Sequence, residues 1–448
     1  MSERLRRLLP LAPAAGRAGT PGRARPAGTG GAAGAVETGG AAGAVEAGGC
    51  GAKAAGLSAA LRAGFPVLPG WVVPAAESRP AVRAAAAVLR GGQPAAGRRS
   101  VLSHPPDPAL AGELREAATR LGGRVIVRSS SQLEADPRWS GAFSTVAGVG
   151  PDEVMTAVRS CWASAFAVDP LARLGSCGLP LEALELGILL QPEICPAAGG
   201  VARVVSPAPG CAEVVVEGIE GHPGPLLAGW ADGLLARVSL PALTAGGRLL
   251  DLLGRDLVIS VARLAAEVRR CLGDETIEWA VQDGQVWLWQ TRPAQPAPAE
   301  PAPAEPGPGP LSAAAPGPDL AARERMPLLG AAVRQHGRHL RGRPAAAGQA
   351  AGRLVACRPH ERPPAASRDA ILLIDRPLPA LAPLLFTARG VLARSGTAGS
   401  HLAEVARSLS VPMVIGCHPE AVTGAGPPGA PWLAAIDGAT GDVALFPG

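Results

Sequence analysis

Apolar and polar residues follow two different periods between about residues 48 and 293. Short apolar runs of the strand type occur at RVIVRSS (124–130), ALELGILLQPEI (183–194), AEVVVEG (212–218) and QVWLWQTRP (285–293). Longer stretches with helical spacing lie between them, at DEVMTAVRSCWASAF (152–166) and LLGRDLVISVARLAAEVRRCL (252–272). The mixture predicts a domain of the α/β (α+β) class over residues 48–293.

A second set of strand patterns predicts a smaller β/α domain over residues 345–448. The patterns are AILLID, GVLARS, PMVIG, LAAIDG and DVALF. The intervening residues 294–344 are rich in proline and alanine at first and then basic, which predicts a semi-rigid linker with a short helix at about 319–343. Residues 1–47 are rich in Ala, Gly and Arg and repeat GGAAGAVE, so we expect a disordered tail.

Composition and charge exclude some classes of function. No run of about 18 apolar residues occurs, so we expect no membrane span. The net charge is +5, and the densest basic run, 334–343, has no interleaved aromatic residues, so we expect no nucleic-acid partner. The 8 cysteines form no CxxC pair and no zinc spacing, which indicates reduced thiols and a cytoplasmic protein.

Lysine is almost absent from the chain. Of the 42 Lys and Arg residues only Lys53 is a lysine, and there is no tyrosine, a bias typical of a very GC-rich genome. A lysine that persists against this bias suggests a phosphate site that admits a compact ammonium group but no planar guanidinium. Chance survival of one lysine is an equally good explanation from composition alone.

Two segments in the larger domain carry residue types suited to phosphate. Lys53 lies on a glycine-rich turn, CGAK, before the predicted helix LSAALRAG, although many helix starts carry such residues. Arg128 ends a strand and precedes three serines, an arrangement that can clamp a phosphate. A surface arginine beside a serine-rich turn is the alternative for Arg128.

The segment IEWAVQDGQVWLWQTRP (277–293) predicts a β-hairpin that turns at Asp283-Gly284. Glu278 lies on its first strand, and Gln290 and Arg292 share one face of its second strand. A carboxylate and an amide oxygen are hard ligands of the kind Mg²⁺ takes, and an arginine beside them could bind the phosphate that the metal carries. A polar hairpin edge is the alternative.

A histidine stands at the start of a predicted helix in SGTAGSHLAEVARSLSVPMVIG (395–416). Small residues precede His401 and leave its ring accessible, and a neutral imidazole is nucleophilic near pH 7. The start of the predicted helix 402–409 would favour an added negative charge. His401 is therefore a candidate nucleophile for phosphoryl transfer, and a polar residue that begins a surface helix is the alternative.

These motifs, in this order, resemble the phosphoenolpyruvate synthase / pyruvate phosphate dikinase family. GAK with AGFPVLPGWVV, VRSSSQLEA with SGAFSTVAGV, LQPEICPAAGGVA and IEWAVQDGQVWLWQTRP are similar to its ATP-binding domain over about 50–293. GTAGSHLAEVARSLSVPMVIG is similar to its swivelling phosphohistidine domain, over about 345–448. The resemblance implies an ATP-grasp-like domain that binds ATP and Mg²⁺, joined to a domain that carries the phosphorylated histidine.

The resemblance also implies a role for each matching residue. Those roles are triphosphate binding for Lys53 and Arg128, nucleotide binding for Gln191, Mg²⁺ and nucleotide binding for Glu278 and Gln290, a phosphate contact for Arg292 and phosphorylation for His401. Three positions depart from the family pattern. Gly399 replaces a threonine, Glu404 replaces an apolar residue, and the family's Glu-Asp pair becomes Glu134-Ala135.

The implied activity is a dikinase-type transfer in which His401 takes a phosphoryl group from ATP, with release of AMP and phosphate. The sequence shows neither the pyruvate-binding barrel of the synthases nor the antibiotic-binding domain of the rifampicin phosphotransferases, so we expect the acceptor to be a small molecule or to lie on a separate acceptor-domain protein. An antibiotic phosphotransferase of the rifampicin phosphotransferase type, and a non-catalytic ATP-binding regulator or phosphocarrier, remain alternatives.

Overall fold

The described residues of the chain form three β-sheets with helices packed against them. The structure is a computed structural model that describes residues 7–11, 49–89, 94–208, 211–240, 242–293, 338–358, 367–420 and 432–447. Mixed sheets and helices of this kind confirm the α/β class predicted from the sequence. No helix within these ranges is long and apolar enough to cross a membrane.

The first sheet has five antiparallel strands in the order β1-β2-β5-β3-β4. They are β1 (Leu9–Pro10), β2 (Trp71–Val73), β3 (Val125–Ser130), β4 (Thr145–Val149) and β5 (Gly187–Pro192). The helices of this part of the chain are α1 (Ala52–Arg62), α2 (Arg79–Leu89), α3 (Pro94–Ser103), α4 (Pro108–Arg120), α5 (Val154–Ser164) and α6 (Val168–Ser176). All six residues of β3 are buried, so the polar side chains at the end of this strand are enclosed by the protein together with its apolar ones.

The second sheet has six antiparallel strands in the order β11-β10-β6-β7-β8-β9. They are β6 (Ala198–Ala208), β7 (Cys211–Glu220), β8 (Leu234–Leu240), β9 (Thr244–Gly246), β10 (Asp274–Gln282) and β11 (Gln285–Pro293). Helices α7 (Gly224–Leu227), α8 (Leu249–Leu253) and α9 (Arg255–Leu272) follow in the same part of the chain. The predicted hairpin is confirmed: Asp283 and Gly284 both have positive φ, as a two-residue β-hairpin turn requires.

The third sheet has eight strands in the order β12-β19-β18-β14-β15-β16-β17-β13. They are β12 (Arg338–Arg341), β13 (Arg343–Ala346), β14 (Gln349–Ala356), β15 (Ile371–Ile374), β16 (Gly390–Ala393), β17 (Met413–Ile415), β18 (Trp432–Asp437) and β19 (Asp442–Pro447). Helices α10 (Ala382–Leu385) and α11 (His401–Ser408) belong to this part of the chain. Strands β14 to β17 are parallel neighbours, and all five strands predicted here are present.

Two segment predictions differ from the structure at their edges. Within the predicted tail 1–47, β1 pairs with β2, and Leu8 and Leu11 are only 2% and 1% exposed. The reason is that LLPL supplies apolar side chains that the first sheet can bury. Within the predicted linker 294–344 and its helix 319–343, β12 and the start of β13 are strands of the third sheet. The rest of both predicted segments, 1–6, 12–47 and 294–337, lies outside the described residues.

Candidate active site

A cavity of about 460 Å³ lies where the third-sheet domain meets the two N-terminal sheets. Six of the seven residues predicted from the sequence line it: Lys53, Arg128, Glu278, Gln290, Arg292 and His401. They come from both parts of the chain and are separated by up to several hundred residues in sequence. The fold therefore brings the candidate phosphate-binding residues and the candidate nucleophile to one place.

Lys53 lies in the first turn of α1, not on the turn before the helix as predicted. Gly51, which precedes the helix, has φ 79°, and a Cβ at this position would lie 2.1 Å from the backbone oxygen of Ser130. Only glycine allows the helix to begin this close to the end of β3. The Lys53 ammonium donates to the backbone oxygen of Ser129 at 3.1 Å and pairs with the Glu134 carboxylate.

The environment of Lys53 changes its acidity. Burial lowers the pKa of the Lys53 ammonium, and the neighbouring Glu134 carboxylate opposes that shift. Glu134 is itself fixed, because its other oxygen accepts from the backbone N–H of Ser131 at 3.0 Å. The departure Glu134-Ala135 thus keeps the carboxylate that pairs with Lys53.

Arg128 extends from β3 into the cavity and is 4% exposed. Its guanidinium donates to the Gln191 side-chain oxygen at 3.2 Å and to the backbone oxygen of Trp289 at 2.9 Å. It also lies 5.3 Å from the centre of the Trp289 ring. Gln191 is not among the cavity-lining residues. Its side-chain amide donates to the backbone oxygen of Leu68 at 3.0 Å, while its side-chain oxygen accepts from Arg128.

The hairpin β10–β11 places three predicted residues on the cavity wall. Glu278 and Gln290 are directly opposite each other in register and are 3% and 7% exposed. Arg292 donates to Glu278 Oε1 at 2.5 Å, and Arg128 donates to Gln290 Oε1 at 3.2 Å. Burial acts to raise the pKa of Glu278, but the positive charges around it, Arg292 first, outweigh burial and the pKa lies below its ordinary value.

The oxygen atoms of Glu278 and Gln290 fit a magnesium ion that arrives with a nucleotide. They form a cross-strand carboxylate–amide pair on the cavity wall, beside Arg128 and Arg292. Mg²⁺ binds through one or two protein oxygens together with substrate phosphates, so two ligands suffice. A cluster of three or more His, Cys, Asp or Glu side chains that could hold a metal ion without substrate is not found in the described ranges.

His401 is the first residue of α11, one position earlier than the predicted start of the helix. Ser400 precedes it as the N-cap, and its hydroxyl accepts from the backbone N–H of Ala403 at 3.3 Å. The imidazole reaches across to the N-terminal part of the chain, where its Nδ1 lies 2.8 Å from Ser140 Oγ and 3.2 Å from Arg292 Nη2. The His401 side chain lies against Gly141, where an added Cβ would lie 2.7 Å from His401 Cδ2.

The environment of His401 keeps its ring neutral. Burial, and then the positive charge of Arg292, lower the pKa of His401 to about 3, although Glu278 opposes the shift. The side chain retains 18% exposure at the cavity. A ring without a proton on one nitrogen at neutral pH is the form that can attack phosphorus.

Gly399 is explained by close contact between the two parts of the chain. A Cβ at this position would lie 2.4 Å from Val201 Cγ1 and 3.3 Å from Glu217 Oε2, both on the second sheet. The threonine of the family pattern would not fit in this position. The backbone N–H of Gly399 donates to Thr397 Oγ1 at 3.1 Å, and burial raises the pKa of Glu217 beneath the loop.

Four residues that were not predicted as site residues also line the cavity. They are Glu134, Ser140, Gly141 and Glu404. Glu404 lies one turn after His401 and pairs with Arg292 and Ser140 across the two parts of the chain. The spacing of His401 and Glu404 on one helix was the available signal for Glu404, whereas the serine and glycine of WSGAF lay in the SGAFSTVAGV segment of the resemblance without a role of their own.

Comparisons with known proteins identify two domains in the chain. Residues 48–224 match the model of the pyruvate phosphate dikinase AMP/ATP-binding domain, and residues 366–441 match that of the PEP-utilising enzyme mobile domain. The prodigiosin synthesizing transferase PigC of Serratia marcescens is 29% identical over 279 residues, which cover 54% of this chain and 31% of PigC. The chain thus spans about a third of the length of that relative.

Among solved structures, the C-terminally truncated Cdc123 of Schizosaccharomyces pombe is similar over 44% of this chain and 72% of its own, at 11% identity and a TM-score of 0.23. A TM-score this low carries no information on the fold or the function. The two domain matches together cover more than half of the chain and include Lys53, Arg128 and His401 of the cavity lining. The first match shows an AMP/ATP-binding domain, and the second shows a PEP-utilising mobile domain. The chain belongs to the family of PEP-utilising enzymes.

Proposed function

We propose that this protein is a dikinase-type phosphotransferase that forms a phosphohistidine at His401 from Mg·ATP and passes the phosphoryl group to an acceptor. The observation that carries the proposal is the position of the His401 ring. Its Nδ1 lies 3.2 Å from Arg292, and the ring lines the same cavity as Lys53 and Arg128. The nucleophile and three cations suited to a triphosphate thus occupy one enclosed volume.

The proposed reaction uses each of these residues. The β- and γ-phosphates lie against Lys53, Arg128 and Arg292, whose positive charges stabilise the charge on the transferring group. Glu278 and Gln290 would hold the Mg²⁺ that accompanies ATP, and the ion would screen the phosphate charge. A lone pair of His401 attacks the β-phosphorus, the bond to the α-phosphate oxygen breaks and AMP leaves. Water then releases the γ-phosphate as orthophosphate, so that one phosphoryl group stays on the histidine.

The architecture supports an ATP-grasp-like binding mode. The cavity lies between the first sheet, which supplies Arg128, and the second sheet, which supplies Glu278 and Gln290. A nucleotide bound between two sheets is enclosed on both sides, and enclosure excludes water that would hydrolyse it. The proposed nucleotide site is therefore this cleft, with α1 and Lys53 at one wall.

The acceptor is proposed to be a small organic molecule, bound by this chain or by a separate acceptor-domain protein. The similarity to PigC, a prodigiosin synthesizing transferase, favours an intermediate of natural-product synthesis over pyruvate. A direct antibiotic phosphotransferase of the rifampicin phosphotransferase type is the second candidate. In each case the third-sheet domain must leave the cavity to deliver the phosphoryl group, which agrees with the match to a mobile domain.

The test uses ATP labelled at two positions. Wild-type protein and the His401→Ala variant are incubated with [β-³²P]ATP and with [γ-³²P]ATP, and protein-bound label and nucleotides are separated. We expect acid-labile label from the β-position on wild type alone, together with AMP and orthophosphate. ADP as the sole product would show an ordinary kinase step instead, and the absence of label and of AMP would show a non-catalytic ATP-binding regulator.

A further inference from the structure

Both terminal nitrogens of the Arg292 guanidinium are engaged by protein atoms. Nη1 donates to Ser140 Oγ at 2.5 Å and pairs with a carboxylate oxygen of Glu404. Nη2 donates to Glu278 Oε1 at 2.5 Å and lies 3.2 Å from His401 Nδ1. Each terminal nitrogen carries two hydrogens, so these four neighbours account for all the hydrogens that the two nitrogens can donate.

The remaining donor of Arg292 does not lie open to a ligand. Its Nε is buried and has no hydrogen-bond partner among the described residues. Atoms around this nitrogen must move before a phosphate oxygen can reach it. A phosphate that binds Arg292 from the cavity therefore displaces one of the acceptors that the guanidinium holds, because an anion needs a free N–H group to form a charge-assisted hydrogen bond.

Glu404 is the acceptor whose displacement disturbs the site least. Glu278 lies on the same β-hairpin as Arg292 and is 3% exposed. Ser140 is fixed by its backbone, since the fully buried Arg173 donates to the Ser140 backbone oxygen at 2.9 Å. Glu404 instead lies on α11 of the mobile domain, and its negative charge repels a phosphate that approaches the same nitrogen.

We propose that Glu404 competes with a phosphate of ATP for Arg292 and that this competition lowers the affinity of the cavity for the nucleotide. The proposal rests on the proposed function, in which Arg292 contacts a phosphate, and adds to it a residue that opposes binding. When the phosphate takes Arg292, the Glu404 carboxylate still accepts the hydroxyl hydrogen of Ser140. The carboxylate thus keeps a hydrogen bond, which lowers the cost of leaving a buried charge without its ion-pair partner.

The competition links nucleotide binding to docking of the mobile domain. Arg292 and Glu404 belong to different domains, so their ion pair forms only when the mobile domain is docked. If docking weakens ATP binding by a given factor, ATP weakens docking by the same factor, because coupling between two binding equilibria is reciprocal. Glu404 replaces an apolar residue of the family pattern, and an apolar side chain could not compete for Arg292. The competition is therefore a property of this chain.

A double-mutant cycle tests the competition in the full-length protein. Binding of α,β-methylene-ATP with Mg²⁺, an analogue whose α–β bridge cannot be cleaved, is measured by calorimetry for wild type, Glu404→Gln, Arg292→Met and the double variant. We expect Glu404→Gln to bind the analogue more tightly by roughly 5- to 150-fold, the usual size of a coupling between two sites. In the Arg292→Met background the same substitution should change the affinity little, because no guanidinium is left to release.

The cycle distinguishes competition for Arg292 from simple repulsion between a carboxylate and a triphosphate. Unchanged or weaker binding by Glu404→Gln would overturn the proposal. An equal gain in the two backgrounds would also overturn it, since repulsion alone would then explain the gain. Glu420→Gln, on the same domain but paired with Arg394, is the matched control and should bind the analogue like wild type. Arg292→Gln takes the place of Arg292→Met in the cycle if the latter does not fold.

Labelling kinetics give a second readout and separate this proposal from the proposed function. With [β-³²P]ATP well below saturation, Glu404→Gln should form phosphohistidine faster than wild type, because more of the protein holds nucleotide. Slower labelling at every ATP concentration would show that Glu404 acts in the transfer step and would overturn the competition. Absence of label on wild type would overturn the proposed function alone, since the titrations with the analogue do not depend on transfer.

Discussion

The contact between Gly141 and the His401 ring can be tested by adding one methyl group. In Gly141→Ala, the new Cβ would lie 2.7, 2.8 and 2.9 Å from His401 Cδ2, Cγ and Cβ when the mobile domain is docked. Distances this short force displacement of the ring, since ordinary carbon–carbon contacts are about 3.5–4.0 Å. The substitution therefore acts on docking and leaves Lys53 and the hairpin ligands in place.

The magnitude follows from separating two costs. Gly141 has φ 66°, so alanine adds about 1–2 kcal/mol of backbone strain, but this strain is present whether or not the mobile domain is docked. The overlap with His401 exists only in the docked state and costs about 1–3 kcal/mol, as overpacking typically does. The docking equilibrium should therefore weaken by roughly 5- to 150-fold.

The assay is single-turnover formation of phosphohistidine from [β-³²P]ATP at saturating ATP, beside equilibrium binding of ATP. We expect the rate to fall by the docking factor and the ATP affinity to stay unchanged. Gly123→Ala is the matched control, because Gly123 has φ 80° and a Cβ there would have nothing within 4 Å. Equal rates for Gly141→Ala and Gly123→Ala would refute the docked geometry of His401.

Three further predictions test other parts of the structure. Lys53→Met should weaken ATP binding by roughly 10- to 150-fold in a direct titration, because it removes charge-assisted bonds of about 1.5–3 kcal/mol, and Lys53→Arg should not restore it. Leu11→Ala should cost about 2–5 kcal/mol in urea unfolding, whereas Val168→Ala, at a side chain 73% exposed, should cost little. The pKa of His401 is lowered to about 3, while the pKa of an unfolded histidine is about 6.5. The contribution of the neutral His401 ring to folding stability is therefore fully present above pH 6.5 and is lost as the pH falls toward 3. The urea midpoint of His401→Gln should lack this part of the pH dependence.

The local patterns in the sequence predicted most of the individual elements correctly. Apolar runs gave β3 and β11, and the Asp283-Gly284 pair gave the hairpin turn, because these features depend on side-chain periodicity and on positive φ within a few residues. Predictions based on composition were less accurate. The apolar residues Leu8 and Leu11 lie within a tail classified by its alanine, glycine and arginine, and the basic stretch before β13 forms strand β12.

The candidate residues were named from the sequence, but their shared location was decided by tertiary structure. Lys53, Arg128 and Glu278 were each ambiguous alone, since a lysine at a helix start or an arginine at a strand end is common on a protein surface. Burial of Arg128 to 4% exposure and of Glu278 to 3% removes that alternative, because a buried charge must be paired or bind a ligand.

What the sequence by itself determined is the set of candidate groups: a histidine at a helix start, three cations, and a carboxylate and an amide on one hairpin. Which groups act on the histidine was decided only by the packing of one domain on the other. Ser140 lies 2.8 Å from a residue 261 positions away, and Gly399 must be glycine because Val201 lies against it. Contacts of this kind leave no local pattern in the sequence, since they depend on the relative placement of two separately folded surfaces and not on the residues next to them in the chain.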